Sequence, residues 1–164
     1  MAADFKIELT RESKRKFKQS LKTNKEEISK SVMDVLSAVA LDILSDSIKN
    51  LRDHGNIASG KLLKNGRFKR VKGELATEVV YTGYAGAIEF GRKAGKMPPV
   101  DVIAQWVKRK GIATGKSIKS VAFLIARSIA KNGTKSSPFL APAFNKHVQG
   151  LSTKLTKAIN DVNK

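Results

Sequence analysis

The sequence has no cysteine, few carboxylates and no long apolar run. Without cysteine the chain forms no disulfide and carries out no thiol chemistry, which is compatible with a cytosolic product. No stretch approaches the roughly 18 consecutive apolar residues that a membrane-spanning helix needs. Residues 1–5 contain no apolar run and predict no signal peptide. We therefore expect a soluble protein without a membrane partner.

The shortage of carboxylates leaves a large positive charge. The 164 residues include 32 lysines and arginines but only 14 aspartates and glutamates, which gives a formal net charge of +18 at pH 7. This imbalance is informative about partners, because it attracts nucleic acid, acidic protein surfaces or anionic membranes. The length fits one domain. We expect a basic N-terminal strand and helix at residues 1–22, a core at 23–146 and a C-terminal helix at 147–164.

Hydrophobic periodicity predicts one strand and two helices in the N-terminal third. Apolar and charged residues alternate over residues 5–9, which is typical of a strand with one buried face. Thr10 is a candidate N-cap for a basic helix over residues 11–22. A capping box at residues 24–27 begins the clearest helix, which runs to about residue 52. Its apolar positions are Ile28, Val32, Val35, Leu36, Val39, Ile43, Leu44, Ile48 and Leu51.

A basic β-hairpin is predicted in the middle of the chain. Residues 67–72 and 74–82 have the composition of two strands, and they join at a glycine turn. In the second strand the side chains alternate, with Leu75, Thr77, Val79 and Tyr81 on one face. The basic residues of the first strand and the turn are Arg67, Lys69, Arg70 and Lys72. Basic residues with an interleaved aromatic, here Phe68, can bind nucleic acid. The alternative is an exposed hairpin that faces solvent or an acidic partner.

A glycine-bounded corner follows the hairpin. Residues 84–91 lie between Gly83 and Gly91, and glycine permits the positive φ angles of sharp bends. We expect the sheet to end here and the next layer to begin. The only carboxylate of this stretch, Glu89, must reach solvent or find a partner, and lysine and arginine are the abundant candidates.

Three further helices are expected in the C-terminal half. Pro99 can open a helix over residues 100–110. We expect Trp106 in that helix to anchor the core. A second helix is expected over residues 118–132, and a single last helix over residues 143–162.

No group of residues resembles an active site. Residues 111–117 look like a phosphate-binding loop, but only three residues separate the glycines, and a helix rather than a buried strand precedes them. His54 and His147 have no cysteine or carboxylate at metal-ligand spacing, and no serine lies in a nucleophile elbow. We therefore expect neither an enzyme nor a bound cofactor or metal ion.

Several short motifs occur in a defined order along the middle and C-terminal parts of the chain. The motifs are Ser59-Gly60-Lys61-Leu62, Tyr84-Ala85 leading into Glu89-Phe90-Gly91, Met97-Pro98, residues 106–112 and Pro138-Phe139-Leu140-Ala141-Pro142-Ala143. Across residues 57–146 the pattern is similar to the neck, or minor tail-component, family of tailed bacteriophages, whose members are head–tail joining or tail-completion proteins. Arg92 follows Glu89-Phe90-Gly91 where the family often has threonine, and residues 1–50 carry no matching motif.

The resemblance implies an α+β fold, with an antiparallel sheet packed against the long N-terminal helix and additional helices, and a C-terminal helix. It also implies a structural virion protein, made in the bacterial host cytoplasm and located at the neck. There, a homo-oligomeric ring of six or twelve copies joins the head connector to the tail around the DNA channel. Candidate assembly residues from the motifs are Tyr84, Glu89, Phe90, Gly91, Pro138, Phe139 and Leu140.

The partners implied are other copies of the chain, the head-connector and tail proteins, and double-stranded DNA in the channel. Basic side chains that face the lumen of such a ring would attract phosphates. Our hypothesis is that Arg67, Lys69, Arg70 and Lys72 do so, or that they contact an acidic partner. The alternative function is a sequence-independent nucleic-acid-binding protein.

Overall fold

The computed structural model describes residues 3–8, 10–20, 25–55, 60–81, 83–113, 115 and 117–163. The strands and helices in these ranges are β1 (Ala3–Glu8), α1 (Arg11–Ser20), α2 (Lys25–Asp53), α3 (Lys61–Asn65), β2 (Arg67–Arg70), β3 (Ala76–Tyr81), α4 (Ala85–Glu89), α5 (Val100–Lys110), α6 (Ile118–Asn132), α7 (Leu140–Val148) and α8 (Leu151–Val162). None of the helices described combines the length and the hydropathy of a bilayer-crossing segment.

The three strands form an antiparallel sheet in the order β1-β3-β2. Ile7 pairs with Thr77 and Phe68 with Val79, so these side chains share one face of the sheet. On that face the side chains of β3 at Thr77, Val79 and Tyr81 are buried. The alternation predicted for this strand is confirmed, and so is the α+β fold.

Helix α2 lies across the sheet and forms the centre of the core. It packs against β2 and β3 and also against α7 and α8, because apolar residues follow the helical period along its length. Its fully buried apolar residues are Ile28, Val32, Leu36, Val39, Ala40, Ile43 and Leu51. The helix ends as predicted, since Gly55 has a φ of 64° and donates its N–H to the carbonyl of Arg52 at 3.0 Å.

Buried hydroxyl groups join the sheet to α2. The Tyr81 hydroxyl lies 2.8 Å from the Ser47 Oγ, which itself donates to the carbonyl of Leu44. Thr77 donates from its Oγ1 to the carbonyl of Leu36 at 3.3 Å. Burial raises the pKa of the Tyr81 phenol. These bonds satisfy polar groups whose burial without a partner would cost about 1–3 kcal/mol each.

Several predicted boundaries shift by a few residues. Strands β2 and β3 are shorter than expected, and the turn between them contains Gly73 with a φ of 79°. Thr10 caps α1 as predicted, because its Oγ1 accepts the N–H of Ser13 at 3.2 Å. Residue 9 of the predicted strand, residues 21–22 of the predicted helix and Asn24 of the capping box lie outside the described residues.

The expectation of a single last helix is wrong. The chain forms α7 and α8, and the break falls at Gln149 and Gly150. The apolar pattern continues across the break and therefore hides it, whereas glycine is a poor helix former. Helix α7 begins before Pro142, which lies in the first turn where a missing N–H removes no helical hydrogen bond. Pro99, in contrast, occupies the N-cap of α5 and does not lie in its first turn.

Helices α5 and α6 pack mainly on each other, and we call residues 100–132 the arm. Within the arm the fully buried residues are Val107, Ala122 and Ala126, and none of them belongs to the main hydrophobic cluster. Trp106 is 38% exposed, so the expectation that it anchors the core is wrong. The helical period places Trp106 on the same face as Ile103, but the rest of the described chain supplies no layer that covers Trp106.

A charged cluster links α2 to α7. Asp46 lies 2.7 Å from the Lys146 Nζ and 2.9 Å from the His147 Nε2. The hydrogen bond from Lys146, followed by that from His147, holds the pKa of the Asp46 carboxyl below its usual range. Because the folded-state pKa is lowered, these contacts stabilise the fold above the unfolded-state pKa, and the stabilisation disappears as pH falls through the folded-state value.

We expect Asp46→Asn to lower the free energy of unfolding at neutral pH by under about 1 kcal/mol, the range of partly exposed ion pairs. The difference from wild type should begin to shrink near the unfolded-state pKa of about 4 and should vanish only below the lowered folded-state pKa, where the aspartate is protonated in both states. Urea unfolding across pH measures it. Asp42→Asn is the matched control, since Asp42 on the same helix is exposed and forms no ion pair with the described residues. A difference that persists at low pH would contradict the electrostatic account.

Candidate assembly site

The corner predicted at residues 84–91 lies directly after the sheet. Gly83 and Gly91 bound it with φ angles of 77° and 74°, so both predicted bends are present. Between them the chain forms the five-residue helix α4. Ala85 and Gly86 are buried there, because their small size lets the helix approach the core closely.

Glu89, at the end of α4, is 2% exposed and binds the first turn of α7. Its Oε2 accepts the N–H groups of Phe139 and Leu140 at 2.8 and 2.9 Å, and its Oε1 accepts that of Ala141 at 2.8 Å. A helix begins with unpaired N–H groups and a partial positive charge, and this carboxylate satisfies both. The expected lysine or arginine partner is therefore replaced by main chain. We call this contact the Glu89 cap.

The Glu89 cap brings together two motifs that lie 50 residues apart in the chain. Phe139 and Leu140 are fully buried. The Phe139 ring meets the Tyr81 ring edge-to-face, with centroids 5.0 Å apart, and its carbonyl accepts a bond from the Asn50 Nδ2 at 2.9 Å. The motif at residues 138–143 is thus held by the sheet, by α2 and by the corner.

Two main-chain segments cross at the base of the arm. Arg92 and Thr134 exchange both of their backbone hydrogen bonds, at 3.0 and 2.8 Å. A Cβ on Gly91 would lie 2.6 Å from the Thr134 carbonyl oxygen, and one on Gly133 would overlap the Arg92 carbonyl. Both glycines are therefore required by close approach as well as by their positive φ angles.

The other candidate motif residues lie at the surface. Tyr84, Phe90 and Pro138 are exposed. Large apolar side chains such as Tyr84 and Phe90 are available for a contact with another molecule. Three of the seven motif residues are therefore buried at the corner, three are exposed around it, and Gly91 is half-buried at the bend.

The basic residues of the hairpin do not form one uniform patch. Lys69 pairs with Glu78 at 3.0 Å on the side of the sheet away from α2. Arg70 points to the α2 side, where it bonds Asp34 and Ser37 of that helix. The remaining two candidates, Arg67 and Lys72, are exposed and form no ion pair with any described residue. Two of the four cations are thus already partly neutralised.

The arm is a second cationic surface, and of the sequence motifs only residues 106–112 lie within it. Residues 100–132 contain seven lysines and arginines but one carboxylate, Asp101. Lys110 donates to the carbonyl of Gly55 at 2.7 Å, just beyond the C-terminal end of α2, where a cation is favourable. A segment-by-segment charge count would have found the arm. Among the described residues no group of His, Asp or Glu could hold a metal ion.

The Glu89 cap makes a specific stability prediction. Glu89→Gln should lower the free energy of unfolding by about 1–3 kcal/mol, because the amide offers one acceptor oxygen and turns a donor toward a backbone N–H. Glu89→Ala should cost more, since it leaves three N–H groups unpaired and opens a cavity. Chemical denaturation measures both. Glu74→Gln, at an exposed carboxylate that pairs with Lys6, is the control, and an equal effect there would contradict a special role for Glu89.

The chain matches no protein-family model, no curated protein and no solved structure.

Proposed function

We propose that this chain is a structural subunit at the neck of a tailed bacteriophage. In the proposal several copies form a ring that joins the head connector to the tail around the DNA channel. Six or twelve copies match the symmetry of such junctions. The subunit acts by contact alone, with no cofactor, and its location is the virion.

The observation that carries the proposal is the surface of the arm. Large apolar side chains lie there together with lysines and arginines that form no ion pair with any described residue, and both groups lie outside the main core. An isolated soluble protein rarely exposes such apolar surface, and its exposure is typical of a protein that binds another. The surplus of positive charge suits acidic protein surfaces and the phosphates of packaged DNA.

The geometry of the motifs gives a second line of support. The motifs that resemble the phage family are separated in sequence, yet the Glu89 cap joins two of them. The glycines beside those motifs lie where two backbones cross. If the similarity of these short motifs arose by chance, the motifs would not need to lie in one structural unit.

A gene deletion tests the proposed function. The reading frame is expected between those of the head connector and the tail tube, and its deletion should give heads and tails that remain separate in electron micrographs. Wild-type protein supplied from a plasmid should restore joined, infectious particles, and a frame-shifted copy should not. Normal particles without the gene would overturn the proposal.

The alternative, sequence-independent binding of nucleic acid by the isolated chain, is favoured by the unpaired cations. It predicts tight binding of duplex DNA that weakens steeply with salt, with a slope of about 0.9 per phosphate contacted. Fluorescence anisotropy at several salt concentrations measures this slope.

The hairpin offers a matched pair of variants for that measurement. Arg67→Gln with Lys72→Gln should reduce the salt slope by about 1–2, because these two exposed side chains form no ion pair with a described residue and can contact phosphate. Lys69→Gln with Arg70→Gln should change the slope less, because Glu78 and Asp34 already partly neutralise these cations. Equal slopes for all three proteins would exclude the hairpin as the DNA contact.

A further inference from the structure

The arm exposes apolar and cationic side chains side by side. Ten large apolar residues are exposed in the described part of the chain, and six belong to the arm: Val102, Trp106, Ile112, Ile118, Phe123 and Leu124. Phe123 and Leu124 are 46% and 56% exposed and adjacent on α6. Lys119 and Arg127 lie one helical turn on either side of Phe123. A partner for this surface must therefore combine apolar contact with negative charge.

Two arms cannot satisfy each other. Each arm has seven cations and one carboxylate. An arm-to-arm contact would therefore bring like charges together without partners, and such a contact costs on the order of several kcal/mol at an interface. The complementary surface must lie elsewhere on a second copy or on a different molecule.

Helix α2 supplies a surface of the required kind on the same chain. It contains six of the 14 carboxylates and only four lysines and arginines, and two of the six, Asp34 and Asp46, already form ion pairs within the molecule. Leu41 on this helix is 49% exposed, and it is the only large exposed apolar residue described outside residues 84–124. The neighbouring Asp42 is exposed and has no hydrogen-bond or ion-pair partner among the described residues.

An apolar groove lies beside Leu41, between α2 and α8. It has a volume of about 250 Å³, and its lining residues are Val35, Ala38, Val39, Lys154, Lys157, Ala158 and Asp161. Ala38 is one helical turn from Leu41, so the groove and Leu41 form one continuous apolar strip. A cavity of about 150 Å³ holds a benzene ring, and this groove can therefore receive one aromatic side chain.

We propose that the arm of one copy docks on the outer face of α2 in a second copy. Phe123 and Leu124 cover Leu41 and the groove, and Arg127 faces Asp42. The arm (the donor surface) and the outer face of α2 (the acceptor surface) are different surfaces, so the contact is head-to-tail. Such a contact generates a ring when the rotation between copies closes. This contact specifies how neighbouring subunits of the proposed ring are held together. That the contacts close into a ring rests on the proposed function.

Two double variants at exposed positions test the docking. The donor variant is Phe123→Lys with Leu124→Lys, and the acceptor variant is Leu41→Lys with Asp42→Lys. Sedimentation velocity of nuclease-treated protein should show self-association of the wild type. Each variant alone should raise the dissociation constant about 30-fold or more, as expected when anchor residues are lost. The control, Asn145→Lys with Gln149→Lys, introduces two lysines at exposed positions away from both surfaces and should associate like the wild type.

Mixing the two variants gives the decisive result. Each keeps one intact surface, so the mixture should form a one-to-one dimer and no larger species. A wild type that stays monomeric, a mixture that stays monomeric, or an acceptor variant that associates normally would overturn the docking. Association that disappears on nuclease treatment would also overturn it and would assign the arm to nucleic acid. None of these results depends on the deletion test, which measures whether heads and tails join.

Discussion

The arrangement of the C-terminal half depends on a single carboxylate that neutralises a helix end. Glu89 accepts three backbone N–H groups of the first turn of α7, and it does so from a site that water barely reaches. Burying a charge is costly unless hydrogen bonds replace its hydration, and here they do. The contact fixes where α7 begins, and α7 packs on α2. It also holds Phe139 against Tyr81, which links the helix to the sheet.

Sequence reasoning succeeded where a periodic pattern acts locally and failed where the outcome depends on what another segment covers. The long apolar stripe of α2 and the alternation of β3 were predictable, because a buried face leaves its period in the sequence. The position of Trp106 was not, since the period shows which side of α5 is apolar but not whether a further layer exists to bury it. Glu89 needed a partner, as its surroundings indicated, but a backbone partner carries no sequence signal. The break at Gly150 was hidden because apolar residues keep helical spacing on both sides of it.

Charge and apolar surface are unevenly divided between the two halves of the molecule. The body has a closed core, and much of its negative charge lies on α2. Among its described residues the arm has three that are fully buried, and its sequence has a large excess of lysine and arginine. Each half thus has what the other lacks, yet the arm does not cover the exposed side of α2 around Leu41 within one molecule. This division favours association between molecules, and it agrees with a role in which the protein acts by joining other structures.

The crossing of Arg92 and Thr134 means that residues 93–133 leave the body and return to the same point. The entropy of closing such an excursion grows only slowly with its length, by about 0.6 kcal/mol for each doubling. The body therefore places little restriction on what is inserted there. A shorter connection, or a helical hairpin of different composition, could replace the arm as an interchangeable module while the corner and sheet remain as they are. Partner choice could then change between otherwise similar proteins without any change to the core that holds them folded.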